Sequence, residues 1–194
     1  MEKLIPQVIS WAEDRNIVKG STIEAEVLKL IATCKELTKI VDQDDIVTRL
    51  SKFIENKDIC TSGIGSALIQ MIVICRMRNI SLYDCVALTK EVTDERLADP
   101  QFVLIMTMRY LSELSEHINA NEDIKADIGY LLIYLTSLTH ILELSPQECM
   151  QKAFLEVKNQ KYVIFDGEMI QENDERYETA KKIIRSNHTK VPMN

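Results

Sequence analysis

The chain has 194 residues, of which 5 are glycine and 4 are proline, far fewer of these two types than the roughly 12% of an average protein. So few turn residues exclude a strand-rich fold, and a hydrophobic content of 46% excludes a disordered chain. With 23 basic against 30 acidic residues the net charge is -7, which argues against a general nucleic-acid binder but leaves room for a small phosphate ligand held through Mg²⁺.

Hydrophobic spacing predicts helices almost throughout. A short amphipathic helix over 6–15 has Val8, Ile9 and Trp11 on its apolar side. Ser21-Thr22-Ile23-Glu24 reads as a capping box, Ser21 and Glu24 satisfying the first backbone donors of a long helix that runs to about Val41. Ile46, Val47, Leu50, Phe53 and Ile54 fall at helical spacing within 44–56. The segment 63–78 is almost wholly apolar and predicts a central, buried helix. Ser81 opens a further helix to about Val92, and Asp99-Pro100 opens one over 100–118 with proline at its first position. Helices over 123–143 and 146–160 follow, the second starting with the capping box Ser145-Pro146-Gln147-Glu148. Asp166-Gly167, between Lys161–Phe165 and Glu168–Ile170, signals a β-hairpin. The tail 172–194 adds one helix to about Arg185 and then frays.

Charges enter the first residues too early for a signal peptide. Arg76, Arg78, His140 and Glu143 break the longest apolar runs below the ~18 residues of a membrane span. Five cysteines (Cys34, Cys60, Cys75, Cys85, Cys149) without a CxxC pair read as reduced core thiols of a cytoplasmic protein. His117, His140 and His188 share no metal-ligand spacing.

An internal repeat organises the chain. At a constant offset of 64, Ile64/Ile128, Gly65/Gly129, Leu68/Leu132, Ile69/Ile133, Ser81/Ser145 and Cys85/Cys149 coincide. Upstream, the blocks around Glu36-Leu37 and Glu113-Leu114 correspond at an offset of 77, so the first copy holds 13 more residues, enough for its extra helix at 44–56. The copies span 1–96 and 97–172, with a C-terminal tail at 173–194.

The segments WAEDRNIVKGSTIEAEVLKLIATCKEL, DIKADIGYLLIYLTSLTHILELSPQECMQKAFLEVKNQK and KYVIFDGEMIQEND resemble phage and bacterial MazG-like all-α nucleoside triphosphate pyrophosphohydrolases. The resemblance implies an all-α MazG-like helical bundle, duplicated here into a pseudo-dimer within one chain, with a small C-terminal β-hairpin. Its chemistry would need ExxE and ExxD pairs on facing helices, holding Mg²⁺ that activates a water to release pyrophosphate. Those positions fall on Thr33, Glu36, Gly63 and Ser66 in the first copy and on Tyr110, Glu113, Asp127 and Tyr130 in the second. Only Glu36, Glu113 and Asp127 remain as metal-ligand candidates, enough for weak Mg²⁺ binding at most. The family's phosphate-contacting Asn and Lys fall on Glu91 and Asp94, and on Leu155 and Lys158, so only Lys158 is retained.

Trp11 and Arg15 match the family's opening helix, and both also read as a core-covering tryptophan with a surface arginine. Glu36 and Glu113 suit a plain solvated helix face, and Asp127 the exposed start of a helix. Tyr110 and Tyr130 read either as core-edge residues or as rings that stack a nucleobase in the former metal pocket. The leading expectation is a nucleotide-binding protein with a decayed Mg²⁺ site, in which Trp11, Arg15, Tyr110, Tyr130 and Lys158 contact a nucleotide or nucleotide-derived signal. One alternative is an active Mg²⁺-dependent pyrophosphohydrolase, and another is a helical protein-interaction module whose surface is the helix at 44–56. Neither a membrane nor nucleic acid is an expected partner, and homo-oligomerisation stays open.

Overall fold

The computed structural model describes residues 3–42, 44–89 and 93–189. Among the described residues there are ten α-helices and one two-stranded antiparallel sheet. The helices are α1 (Ile5–Asp14), α2 (Ile17–Gly20), α3 (Ile23–Thr38), α4 (Ile46–Glu55) and α5 (Lys57–Met77). They continue with α6 (Leu82–Ala87), α7 (Pro100–Asn119), α8 (Lys125–Ile141), α9 (Pro146–Val157) and α10 (Tyr177–Thr189). A 3-10 turn at Glu95–Ala98 precedes α7, and strands β1 (Tyr162–Phe165) and β2 (Glu168–Gln171) precede α10.

Local chemistry sets most boundaries. Ser145 and Glu148 form the reciprocal capping box of α9, and Asp99 caps α7 by accepting from Gln101 N at 3.0 Å. The start of α3 differs from expectation. Its cap is Thr22, which accepts from Ala25 N at 3.2 Å, while the Ser21 hydroxyl donates to Glu26 Oε1 at 2.6 Å. Glu26 is buried at 3% exposure, so Ser21 serves a carboxylate that also needs Lys29, rather than the helix end. The hairpin forms as expected, with Asp166 and Gly167 both at positive φ, the twist a two-residue turn requires. The expected extension of the α6 helix to Val92 reaches residues 90–92, outside the described ones.

Helix α5 begins six residues earlier than the apolar run, because Lys57 and Asp58 supply a polar first turn after the pivot at Asn56. That extension overturns the expectation on membrane spans. An 18-residue window of α5 reaches a mean hydropathy of 1.6, long and apolar enough to cross a bilayer, yet 67% of the window is buried inside the protein. α8 and α9 satisfy the same test only jointly, and they are bent by 93°. α5 is the central helix, packed on α3, α9 and α1. α7 packs on α8 and α3, and α6 on α8.

Two close approaches fix this arrangement. A Cβ built on Gly65 of α5 would overlap the carbonyl oxygen of Cys149 in α9. A Cβ on Gly129 of α8 would overlap the carbonyl oxygen of Cys85 in α6. Each buried helix thus lies, through its glycine, on the backbone of the helix that follows the other one. All five cysteines are buried free thiols, and burial pushes Cys34 and Cys60 up to about 12.

α4 is attached more thinly. Phe53 enters the core, and Arg49, 8% exposed, pairs with Asp99 at 2.8 Å. Its outer side leaves Ile46, Val47 and Ile54 exposed.

Candidate functional site

The residues singled out in the sequence fall into two groups on different elements. Trp11, Arg15 and Lys158 meet where α1 runs beside α9. Tyr110, Glu113, Asp127 and Tyr130 meet where α7 faces α8. Glu36 belongs to neither.

On α3, Glu36 is paired with Lys39 at 2.7 Å, and its side chain is 66% exposed. The neighbouring slots are closed by other contacts: Gln70 Nε2 donates to Thr33 Oγ1 at 3.1 Å, and the Leu37 side chain lies against Gly63. Glu113 accepts from Arg109 Nε at 2.9 Å, one turn away on α7. Asp127 is 4% exposed, and His117 Nδ1 lies 2.7 Å from its Oδ2. Burial pushes the Asp127 carboxyl above its ordinary value although the imidazole pulls it down, and the same contact raises His117. Asp127 is therefore not the solvated start of α8 that its position suggests, and its fixed partner is a histidine without a metal-ligand pattern in the sequence.

Among the described residues no group of three or more His, Cys, Asp or Glu side chains could hold a metal ion. The Mg²⁺ that the resemblance implies does not fit Glu36, Glu113 and Asp127. Asp127 is nearly buried and held by His117, and Glu36 lies on α3 while Glu113 and Asp127 lie on α7 and α8.

Tyr110 and Tyr130 do come together, but on each other. Their rings stack at 4.7 Å and 17°, and Tyr110 also lies 5.6 Å from Tyr134, one turn along α8 from Tyr130. Burial raises Tyr110 and Tyr134 above the ordinary phenol value. The three rings stack together between α7 and α8.

Arg15 is committed to backbone. Its Nη2 donates to the carbonyls of Lys158 at 2.7 Å and Gln160 at 2.6 Å, the end of α9 where unsatisfied carbonyls gather. The guanidinium lies over Trp11 at 5.2 Å and over Tyr162 at 5.6 Å. Trp11 in turn meets Phe154 and Tyr162 edge to face. Asn16, at φ 57, donates to Ile164 O at 2.8 Å and ties β1 to the same corner. The opening motif and the tail motif are thus one structural joint, and Arg15 is not available to a phosphate.

Lys158 remains available. It lines a cleft of about 660 Å³ between α1 and α9, with Lys3, Leu4, Gln7, Gln147, Gln151, Phe154 and Leu155. Among the described residues no carboxylate lines it. No hydrogen bond or ion pair engages the side chain of Lys3 or Lys158 among the described residues. The cleft volume falls within the ~300–1,000 Å³ of small-molecule sites. Sequence reasoning reaches only Lys158 here, although the spacing of Lys3 with Gln7, and of Gln147 with Gln151, already sets each pair one helical turn apart.

Scans of the sequence against protein-family models and searches of curated proteins and solved structures returned no match.

Proposed function

We propose that the chain is a MazG-like helical protein, duplicated into a pseudo-dimer within one polypeptide, that binds a nucleotide or nucleotide-derived signal without turning it over. The observation that carries this reading is the α1/α9 cleft, which two lysines without ion-pair partners among the described residues line together with three carboxamides and, among those residues, no carboxylate. Lys3 and Lys158 offer point charges to phosphate. The Gln151 carboxamide offers both donor and acceptor to a base edge, and Gln7, whose Nε2 donates to Lys3 O, a further acceptor oxygen. Leu4 and Phe154 offer an apolar wall.

The lack of turnover rests on the acids. A metal would have to break the nearly buried Asp127–His117 contact and draw Glu36 in from another helix. The crosswise contacts of Gly65 with Cys149 and of Gly129 with Cys85 support the duplication, since residues equivalent at an offset of 64 exchange partners between the two copies. A second reading, a protein-binding helical module, is favoured by the apolar outer side of α4.

The test is thermal shift and calorimetry with ribo- and deoxyribonucleoside triphosphates and cyclic dinucleotides, each with and without Mg²⁺, alongside a pyrophosphate-release assay. A ligand at about 100 times its Kd raises stability by about 2.7 kcal/mol. The expected outcome is Mg²⁺-independent binding that weakens in Lys158→Glu and Lys3→Glu, with no pyrophosphate released. No shift with any nucleotide would overturn this reading in favour of protein binding. Mg²⁺-dependent release abolished in Glu113→Ala would overturn it in favour of a hydrolase.

A further inference from the structure

A second cleft, of about 670 Å³, lies between the C-terminal helix and the helical body. Strand β1 explains why it exists. Successive side chains of a strand point to opposite faces, so Ile164 enters a small core with Ala12, Ile17 and Val73 of the body. Val163 enters a separate one with Ile170, Tyr177, Ala180 and Ile184. Helix α10 is therefore held to the body through the hairpin, and the cleft opens beside β1 where the two packing units diverge.

Both walls carry cations. Lys19 and Arg76 stand on the body side, Lys181 and Arg185 on α10, and Val18, Val163 and Ile184 supply the apolar lining. Two carboxylates, Glu13 and Asp14, also line the cleft. Glu13 is neutralised by Arg76, whose Nε and Nη2 lie 2.8 Å and 2.7 Å from its Oε1. That pair fixes the guanidinium in the wall and leaves Nη1 without a hydrogen bond among the described residues. Lys181 is steadied 4.9 Å over the Tyr177 ring, and Glu178 stands 3.7 Å from its ammonium. Lys19 has no ion-pair partner among the described residues. In a chain of net charge -7, cations facing each other across a cleft of ligand size are a local reversal of sign.

We propose that this cleft binds a diphosphate group, free or carried by a larger molecule, with one phosphoryl held by Lys19 and Arg76 on the body and the other by Lys181 on α10. A diphosphate carries one phosphoryl for each of the two walls. The diphosphate bridges both and draws α10 onto the body. Asp14, the carboxylate of the lining without an ion-pair partner among the described residues, works against the ligand. The site is independent of the α1/α9 cleft.

Calorimetry of the full chain with inorganic pyrophosphate, inorganic phosphate and adenosine diphosphate, without Mg²⁺, tests it. Pyrophosphate is expected to bind more tightly than phosphate, with affinity falling as salt rises. Lys19→Glu and Lys181→Glu should each weaken pyrophosphate binding by about tenfold or more, and Asp14→Asn should tighten it. Lys158→Glu should leave it unchanged, which separates this site from the α1/α9 cleft. Equal affinity for pyrophosphate and adenosine diphosphate identifies the diphosphate alone as the ligand, and tighter binding of the nucleotide adds the apolar lining to the site. Absence of pyrophosphate binding, equal affinity for phosphate, or affinity unmoved by both charge reversals would overturn the proposal. Circular dichroism of each variant at its native melting profile confirms that these exposed substitutions leave the fold intact.

Discussion

Gly65→Ala is the sharpest perturbation of the architecture, because it asks one methyl group to fit where two helices touch through backbone. The added Cβ would overlap the Cys149 carbonyl oxygen, lie 2.5 Å from its carbonyl carbon and 2.8 Å from Ala153 Cβ. None of these atoms is the end of a flexible side chain, so α5 and α9 must separate along their contact. Overpacking of a tight core costs about 1–3 kcal/mol, and a rigid backbone neighbour puts this site at the upper end. Replacing a helical glycine by alanine returns about 1 kcal/mol of propensity. The net loss is then about 2 kcal/mol, which for a chain of this length lowers Tm by roughly 4–8 °C. Gly129→Ala, with Cys85 O in the same role, should cost a similar amount. Gly63→Ala is the control: its Cβ would meet the Leu37 Cδ2 at 2.8 Å, the end of a side chain that can rotate away. That variant should match the parent or gain up to about 1 kcal/mol. Urea and thermal melts followed by circular dichroism read all three. If Gly65→Ala melts within about 1 °C of the parent, or no lower than Gly63→Ala, the close approach of α5 and α9 is not what holds these two helices together.

Two further outcomes concern the candidate site. Arg15→Lys keeps the charge but shortens the reach of the Nη2 that donates to both Lys158 O and Gln160 O, and loses the planar ring contacts with Trp11 and Tyr162. It should lower stability in urea by about 2 kcal/mol while leaving nucleotide affinity of the folded protein unchanged, and a loss of affinity at unchanged stability would return Arg15 to a ligand role. His117 gains its proton more readily in the folded chain than at its ordinary value of 6.5, because Asp127 bonds it and attracts its charge. Its contribution is present in full below that pH and is lost as pH rises through the raised folded value. Asp127, raised by burial from 3.8, has the same sign, its contribution being lost from that pH upward. Thermal melts from pH 5 to pH 9 should show the parent losing stability through neutrality and His117→Gln losing less, and parallel profiles would show that the pair is not the source.

The helices were legible because their signal is local. Apolar spacing along α3, α7 and α9 repeats every turn, and Ser145 with Glu148 carries its capping chemistry within four residues. The same locality explains the miss at Ser21, where Thr22 takes the cap because the adjacent hydroxyl is drawn to the buried carboxylate of Glu26. The start of α5 was hidden for the opposite reason, since Lys57 and Asp58 extend the helix with residues that add nothing to the apolar pattern. Arg15 marks the limit more clearly. Its partners are carbonyl oxygens 143 and 145 residues away, and a carbonyl leaves no trace in the residue type that bears it. An arginine that caps a distant helix and an arginine that binds phosphate look alike until the chain is folded.

Carboxylates share that ambiguity, and the chain shows how it resolves. Glu36, Glu113 and Asp127 occupy equivalent-looking places on amphipathic helices, yet their side chains are 66%, 34% and 5% exposed. The first two sit one turn from a cation on the same helix, where exposed pairs contribute only a few tenths of a kcal/mol. Neither is held in place by more than that, so either acid could still turn to another partner at little cost. Asp127 is different in kind. A nearly buried carboxylate must be compensated, and here the compensation comes from His117, on the preceding helix and ten residues upstream. Removing the histidine would leave the acid to protonate or to recruit another cation. The pairing that closes this site to a metal is therefore the one with the most to lose by breaking, and it depends on a residue whose spacing announced nothing.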